Sequence, residues 1–112
     1  MRDDRERLLD VVEAIQLVEQ YSVRGRETFD HEPLIQVWIV HYLQIVGEAV
    51  RHLSSKFVET HPEISWAQII AMRNILVHDY FGIDLEEVWS AVEQDIPLLK
   101  QQVMDILNQW DI

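Results

Sequence analysis

Apolar residues recur every three or four positions over most of the chain, which is the spacing of amphipathic helices. The first stripe predicts a helix from about Asp3 to Val23, with Asp3 and Asp4 at the positive end of the helix dipole. Its apolar positions are Leu8, Val11, Val12, Ile15, Val18 and Tyr21. Gly25 then interrupts the pattern, and we expect it to end the helix in a left-handed conformation, followed by a connector to Phe29.

The second helix is predicted to run from Asp30, as its N-cap, to about Phe57, with Pro33 tolerated in the first turn. Its apolar residues form two stripes, one of Leu34, Trp38, Tyr42, Ile45, Ala49 and Leu53 and one of Ile35, Ile39, Leu43, Val46 and Val50. A helix that is apolar on so much of its circumference is buried on more than one side. One side facing the bundle and one facing a second copy would satisfy this pattern, which predicts a two-fold homodimer.

The third helix has a clear start signal. Ser65 and Gln68 form a capping box, and the hydrophobic pair Ile64 and Ile69 brackets it. The helix is predicted to end near Asp79.

The fourth helix repeats the same signal, with Asp84 and Glu87 as the capping box. Pro97 is predicted to kink or split this helix, with Asp95 capping the second piece. The last apolar stripe is Leu98, Leu99, Val103, Ile106, Leu107 and Trp110. Because the sequence has no strand-like alternation and no repeat, we expect one all-α domain over residues 1–112, an up-and-down bundle of four or five helices.

Composition restricts the kinds of site and the cellular location that we expect. The chain has 112 residues and no cysteine, so disulfides and thiolate metal sites are excluded. The N-terminal ten residues are charged and lack the apolar core of a signal peptide, so a cytoplasmic location is expected. The most apolar run, residues 34–50, contains Gln36, His41, Gln44 and Glu48. It is therefore predicted to be a buried helix and not a membrane span.

Net charge restricts the partners. There are 20 acidic against 9 basic residues, a net charge of −11. Non-specific binding to nucleic acid depends on many lysine and arginine contacts, so a broad phosphate-tracking surface is disfavoured. An enzyme acting on RNA would need a local cationic site. A second use of an acidic surface is docking a basic protein partner.

Polar chemistry interrupts the third helix between Ala71 and Asp84. Asn74 and His78 lie one turn apart on one face, and Arg73 and Tyr80, seven residues apart, share a neighbouring face if the helix extends that far. Arginine binds phosphate through a fork of donors, and histidine exchanges protons near neutral pH. This pairing is suited to phosphodiester chemistry on RNA. The alternative is a chance grouping on a solvated helix face.

A second polar stripe lies on the second helix, where His41, Glu48 and His52 share one face. A metal site is disfavoured because no metal-binding signature accompanies these residues. Glu48 follows Gly47, and glycine permits close approach of another helix. The simplest interpretation of Glu48 is a helix-packing contact with an exposed carboxylate.

These residues together resemble a known family. Arg73-Asn74, His78 and Tyr80 reproduce the R-x4-H-x-Y motif of HEPN-domain proteins, specifically of the HepT-like toxins of minimal nucleotidyltransferase toxin–antitoxin systems. The flanks that also match are Leu43 to Ala49 on the second helix, Trp66 with Ile69-Ile70, and Val88-Trp89 with Asp95-Ile96-Pro97. The resemblance extends over nearly the whole chain.

The resemblance implies a HEPN bundle of four to five helices that dimerises and brings two motifs into one cleft. It implies a metal-independent endoribonuclease, toxic to its own cell and without a cofactor, in which Arg73 and His78 are catalytic. Asn74 and Glu48 are predicted to support them. It also implies a cognate antitoxin, a minimal nucleotidyltransferase that transfers AMP from ATP to Tyr80.

Two other functions remain open at this point. The chain could be a non-catalytic helical subunit that docks on a nucleotidyltransferase and binds a nucleotide or substrate, which the acidic composition favours. It could also be a purely structural bundle, in which case the polar cluster has no chemical role.

Overall fold

The computed structural model describes residues 3–78 and 82–110. For His78 it describes the backbone but not the side chain. Within these ranges the regular structure is helical, with no strand, so the predicted all-α class is confirmed. The elements are α1 Asp4–Ser22, α2 Arg26–His31, α3 Pro33–Arg51, α4 Ser55–Thr60, α5 Trp66–His78, α6 Leu85–Ser90, a π-helical segment Ala91–Asp95, and α7 Ile96–Trp110.

The predicted first helix is confirmed, but the role of Gly25 is different. Asp3 is the N-cap of α1, and its carboxylate accepts a hydrogen bond from the Glu6 amide at 2.8 Å. Helix α1 ends at Ser22, and Gly25 lies beyond it as the N-cap residue of α2, with φ of +92°. The positive φ was expected, since glycine tolerates it, but it starts a helix instead of ending one.

The predicted second helix is wrong in its bounds, because it is three helices. Asp30, the predicted N-cap, lies inside α2, which also includes residues up to Phe29 that were expected to form a connector. Glu32 separates α2 from α3 with an extended backbone. The residue before a proline disfavours the helical conformation, so Pro33 forces this break.

A second break separates α3 from α4. Ser54 caps α4 by accepting a hydrogen bond from the Phe57 amide. The Asp4 carboxylate in turn accepts bonds from both the Ser54 amide, at 2.8 Å, and the Ser54 hydroxyl, at 2.7 Å. This contact with α1 fixes the start of α4.

The third helix starts as predicted. The Ser65 carbonyl accepts the first bonds of α5, from the Gln68 and Ile69 amides, and α5 continues to His78.

The predicted Asp84 cap is also confirmed, since its carboxylate accepts from the Glu86 amide at 2.9 Å. Asp95, however, does not cap a second piece. Helical dihedral angles continue through Ile96, and the helix widens into the π-helical segment before Pro97. Proline lacks an amide hydrogen and its ring crowds the carbonyl four residues earlier, which a local π-bulge relieves.

The long helices pack in the order α5, α3, α1, α7, with the most extensive contact between α1 and α3. The largest fully buried side chains are Phe29, Leu8, Ile15, Ile39 and Leu43. Among the described residues, α3 is the helix long and apolar enough to cross a membrane by length and composition, and 44% of that stretch is buried inside the fold. Core helices commonly meet the same criterion, and α3 packs between α1 and α5.

Helices α3 and α5 cross closely at Gly47. A Cβ added to this glycine would collide with Cβ of Arg73 and lie 2.6 Å from its Cγ. The glycine therefore lets the α3 backbone lie directly against the base of the Arg73 side chain.

We expect Gly47→Ala to lower the free energy of unfolding by about 1–3 kcal/mol, because the added methyl must push the two helices apart. Chemical denaturation of the two proteins measures this difference. Gly82→Ala is the matched control, since a Cβ there meets no described residue within 4 Å. An unchanged stability in Gly47→Ala would contradict the close crossing.

Candidate active site

The predicted site residues lie along α5 and the facing part of α3. Arg73 and Asn74 are in the middle of α5, and Glu48 is on α3 next to Gly47. His78 is the last residue of α5, one helical turn or about 6 Å along the axis from Asn74. The side chain of His78 and the whole of Tyr80 lie outside the described residues.

Arg73 is held in a defined orientation. Its side chain is 17% exposed, and its Nη2 lies 2.9 Å from Oε2 of Glu48. Its Nη1 donates a hydrogen bond to Oδ1 of Asn74 at 3.0 Å. The neighbouring pair predicted from the sequence is therefore joined to the predicted α3 carboxylate in one cluster.

Glu48 is the centre of this cluster. Its carboxylate is not simply exposed, as the simplest interpretation had it, because both oxygens are engaged. Oε2 is buried and makes its close contact with Arg73 at ion-pair distance without the alignment of a hydrogen bond. Oε1 lies 2.8 Å from Nε2 of His52. Burial of an unpaired carboxylate oxygen is costly, so the Arg73 cation stabilises this arrangement.

The pKa of Glu48 lies below its ordinary value. The hydrogen bond from His52 is the largest cause, and the positive charges of Arg73 and Arg51 act in the same direction, while burial of the carboxyl acts against them. The carboxylate is therefore ionised at neutral pH, with Oε1 as a hydrogen-bond acceptor and Oε2 in the ion pair with Arg73.

The role of His52 was missed from the sequence. The residue was placed on one stripe with Glu48 and His41, but only as a weak metal candidate. Within residues 3–78 and 82–110 the structure contains no group of three or more potential ligands that could hold a metal ion. A signal was present, since glutamate and histidine four residues apart on a helix can pair.

Gln44 is a second contact that the sequence did not indicate. Its side-chain amide donates to the backbone carbonyl of Leu76 at 3.1 Å. Helix α3 therefore contacts α5 at two points along its length. Glu48 contacts Arg73, and Gln44 binds α5 close to the end that bears His78. Both contacts fix the position of α5 along α3.

Glu48 also borders a shallow groove between α1 and α3. Arg7, Asp10 and Glu13 of α1 line this groove with it, and Arg51 lies close enough to Glu48 to affect its pKa. Around Glu48 the three arginines therefore balance three carboxylates, in a chain that is strongly acidic overall. The local charge is more positive than the net charge suggests.

We expect Glu48→Gln to lower the free energy of unfolding on the order of 1 kcal/mol at neutral pH. Because the pKa of Glu48 is depressed in the folded state, its contribution is present above the ordinary value of 4.5 and is lost as the pH falls through the folded pKa. The stability difference between the two proteins should therefore shrink below pH 4.5, as measured by denaturation at several pH values.

Glu63→Gln is the control, because it removes the carboxylate of the other His–Glu pair, at His61, on an exposed part of the surface. A difference between wild type and Glu48→Gln that stays constant from neutral to acidic pH would contradict the ion pair.

Comparison of the sequence with known proteins assigns the chain to a family. A relative from Thermococcus cleftensis, named "Probable ribonuclease HepT", is 37% identical over 100 residues, which cover 88% of this chain and 91% of that protein. A "Putative RNase" from Caldanaerobacter subterraneus subsp. tengcongensis is 36% identical over 93 residues, 83% of each chain.

A longer relative from Methanocaldococcus jannaschii is named "Gamma-glutamylcyclotransferase and putative RNase". It is 34% identical over 102 residues, which cover 90% of this chain but only 46% of that protein, so this chain spans under half of its length. No solved structure matches the chain. The sequence profile described as Ribonuclease HepT-like matches residues 11–106, and the chain belongs to this ribonuclease HepT-like family.

Proposed function

We propose that this protein is a metal-independent endoribonuclease, the toxin of a toxin–antitoxin system, which cleaves RNA at a site formed by Arg73 and His78 in a homodimer. Membership in the ribonuclease HepT-like family supports the ribonuclease activity. The observation that favours this site is the half-buried guanidinium of Arg73, oriented by Glu48 and Asn74 on the helix that ends at His78.

Arg73 binds the scissile phosphate in this proposal. A guanidinium has five N–H donors in a rigid fork, so the contacts with Glu48 and Asn74 leave donors for phosphate oxygens. A pre-oriented cation stabilises the negative charge that develops on those oxygens in the transition state. Partial burial strengthens this effect, because water screens it less.

His78 transfers the protons. As general base it removes the proton from the ribose 2′-OH, whose oxygen attacks the phosphorus and displaces the 5′-oxygen of the next nucleotide. As general acid it protonates that leaving oxygen. Two protomers supply two histidines, so each can perform one role. The need for a 2′-OH restricts cleavage to RNA.

Exposed apolar residues beside the cluster support a homodimer. On α3, Leu34, Val37 and Ile45 are exposed and lie on the face that continues to Glu48. On α5, Val77 is exposed one turn after Arg73, on the same side of the helix. A second copy packed on this surface would bury the apolar side chains and bring two Arg73 side chains together.

Neutralisation of the toxin uses Tyr80 in this proposal. A cognate minimal nucleotidyltransferase uses ATP as donor, so that the phenol oxygen attacks the α-phosphorus and pyrophosphate leaves. The AMP group adds bulk and negative charge beside the site, which repels the substrate phosphate. All of these events are assigned to the cytoplasm.

We expect the purified, unmodified protein to cleave cellular RNA in the presence of EDTA. His78→Ala and Arg73→Ala should each lower the cleavage rate by at least about 100-fold, because the first removes the general acid–base group and the second removes the charge-stabilising group. Gel analysis of the RNA ends measures cleavage. Both variants should also abolish growth arrest in cells and remain dimeric.

His31→Ala is the matched control, because this exposed histidine lies on α2 and donates a hydrogen bond to the Glu27 carbonyl of its own helix. Full cleavage by a folded His78→Ala protein would contradict the catalytic assignment. Binding of RNA without cleavage by the wild type would instead favour a non-catalytic binding subunit, the function that the net charge of −11 favours.

We expect Tyr80→Phe to keep the toxicity but to escape modification, because the phenylalanine ring has no oxygen to accept AMP. Intact-mass measurement after incubation with the cognate nucleotidyltransferase and ATP tests this. The wild type should gain the mass of an adenylyl group and the variant should not. An adduct on Tyr80→Phe would exclude this tyrosine as the sole modified residue.

A further inference from the structure

His52 ends a line of polar contacts that leads directly to the proposed phosphate-binding group. Its Nε2 lies 2.8 Å from one oxygen of Glu48, whose other oxygen lies 2.9 Å from Arg73. Arg73 in turn donates to Asn74 at 3.0 Å. His52 itself is partly exposed, at the C-cap position of α3, and can exchange protons with solvent.

The hydrogen-bond chemistry fixes the form of His52. Glu48 is an ionised carboxylate and only accepts, so Nε2 of His52 must bear a hydrogen and donate it. The neutral imidazole can do this in one tautomer, and the imidazolium can do it as well. Protonation of the other nitrogen therefore changes the charge of the cluster without breaking the contact.

This protonation changes the net charge at Arg73. With a neutral His52, the negative Glu48 cancels the positive Arg73, and the three side chains together carry no net charge. With a protonated His52 they carry one positive charge. A phosphate arriving at Arg73 is attracted more strongly to the second form.

The other charged groups around the carboxylate are on two helices, α3 and α1. Arg51 is on α3 beside His52, and Arg7, Asp10 and Glu13 come from α1 through the shared groove. Asp4 of α1 binds Ser54, two residues after His52. Among these residue types, histidine is the one whose charge ordinarily changes between pH 5 and 8.

We propose that His52 is a positioning residue of the ribonuclease site: through Glu48 it holds Arg73 in place, and its protonation makes the phosphate-binding site more positive and strengthens RNA binding. This inference rests on the proposed function, since it assigns RNA phosphate to Arg73. It adds a pH-dependent control of binding that is separate from the proton transfers of His78.

The first test measures RNA binding in a His78→Ala background, which removes both cleavage and the titration of that histidine. The dissociation constant of a fluorescent oligoribonucleotide is measured by anisotropy between pH 5.5 and 8 at constant ionic strength. We expect binding to be about fivefold tighter at pH 5.5, as one added charge near a phosphate produces in a partly screened site. His52→Gln should lose most of this dependence, because its amide can still donate to Glu48 but cannot become charged.

His61→Gln is the matched control, because it removes a histidine that is paired with a different carboxylate, that of Glu63. It should keep the full pH dependence. Binding by His52→Gln that strengthens at low pH as much as in the parent protein would overturn the inference while leaving the proposed function intact. Absence of RNA binding in all variants at every pH would overturn the proposed function and this inference with it.

A second test separates positioning from charge. With His78 present, the cleavage rate at pH 8 should be near that of the wild type in His52→Gln, which keeps the hydrogen bond to Glu48. In His52→Leu, which removes it, the rate should fall about tenfold, as a lost orienting contact near a reacting group does. Thermal unfolding checks that both variants are folded. Equal rates in the two folded variants would overturn the positioning role.

Discussion

The arrangement depends on one close contact, the crossing of α3 and α5 at Gly47. A residue with a Cβ at this position would push the two helices apart, because the base of the Arg73 side chain fills the space. The short distance between the helices lets Glu48, the next residue on α3, reach the guanidinium. It also lets Gln44 bind the Leu76 carbonyl one turn away. The proposed chemistry therefore depends on a packing constraint.

The Arg73–Glu48 contact differs from two other ion pairs of this acidic chain. The pairs of Arg26 with Glu86 and of Lys100 with Glu19 involve more exposed cations, and such pairs contribute little to stability. Arg73 is more buried, and its partner is itself bonded to His52. A carboxylate at this place fixes the guanidinium but also lowers its attraction for phosphate. Control of that carboxylate by a titratable neighbour resolves this conflict between orientation and affinity.

Much of the helical architecture follows from local sequence signals. The cap at Asp3, the start of α5 after Ser65 and the cap at Asp84 are readable because capping depends on a few neighbouring residues. The start of α3 was predicted two residues before its actual N-cap Glu32, because Asp30 also suits an N-cap and proline is tolerated anywhere in a first turn. The cap at Ser54 was not readable from the local sequence, because it depends on a contact with Asp4 of α1, which lies fifty residues earlier in the chain.

The candidate site was also predictable from the sequence in part. Arg73 and Asn74 are adjacent in sequence, so their association followed from the motif. Glu48 was selected by its position after Gly47, but its pairing depends on how two helices cross, which periodicity does not determine. His52 was overlooked because a histidine at a helix end has many uses, and only the bond to Glu48 distinguishes this one. The predictions for the His78 side chain and for Tyr80 concern groups outside the described residues.

The most direct test of the central claim is an NMR titration of the arginine side chains. Protein with the His78→Ala substitution and ¹⁵N-labelled arginine is mixed with increasing amounts of a short oligoribonucleotide, and the side-chain Nε–Hε signals are followed, with that of Arg73 assigned through an Arg73→Lys variant. The account predicts that the Arg73 signal shifts on binding, in proportion to the bound fraction. RNA binding that shifts other arginine signals and leaves that of Arg73 unchanged would contradict it.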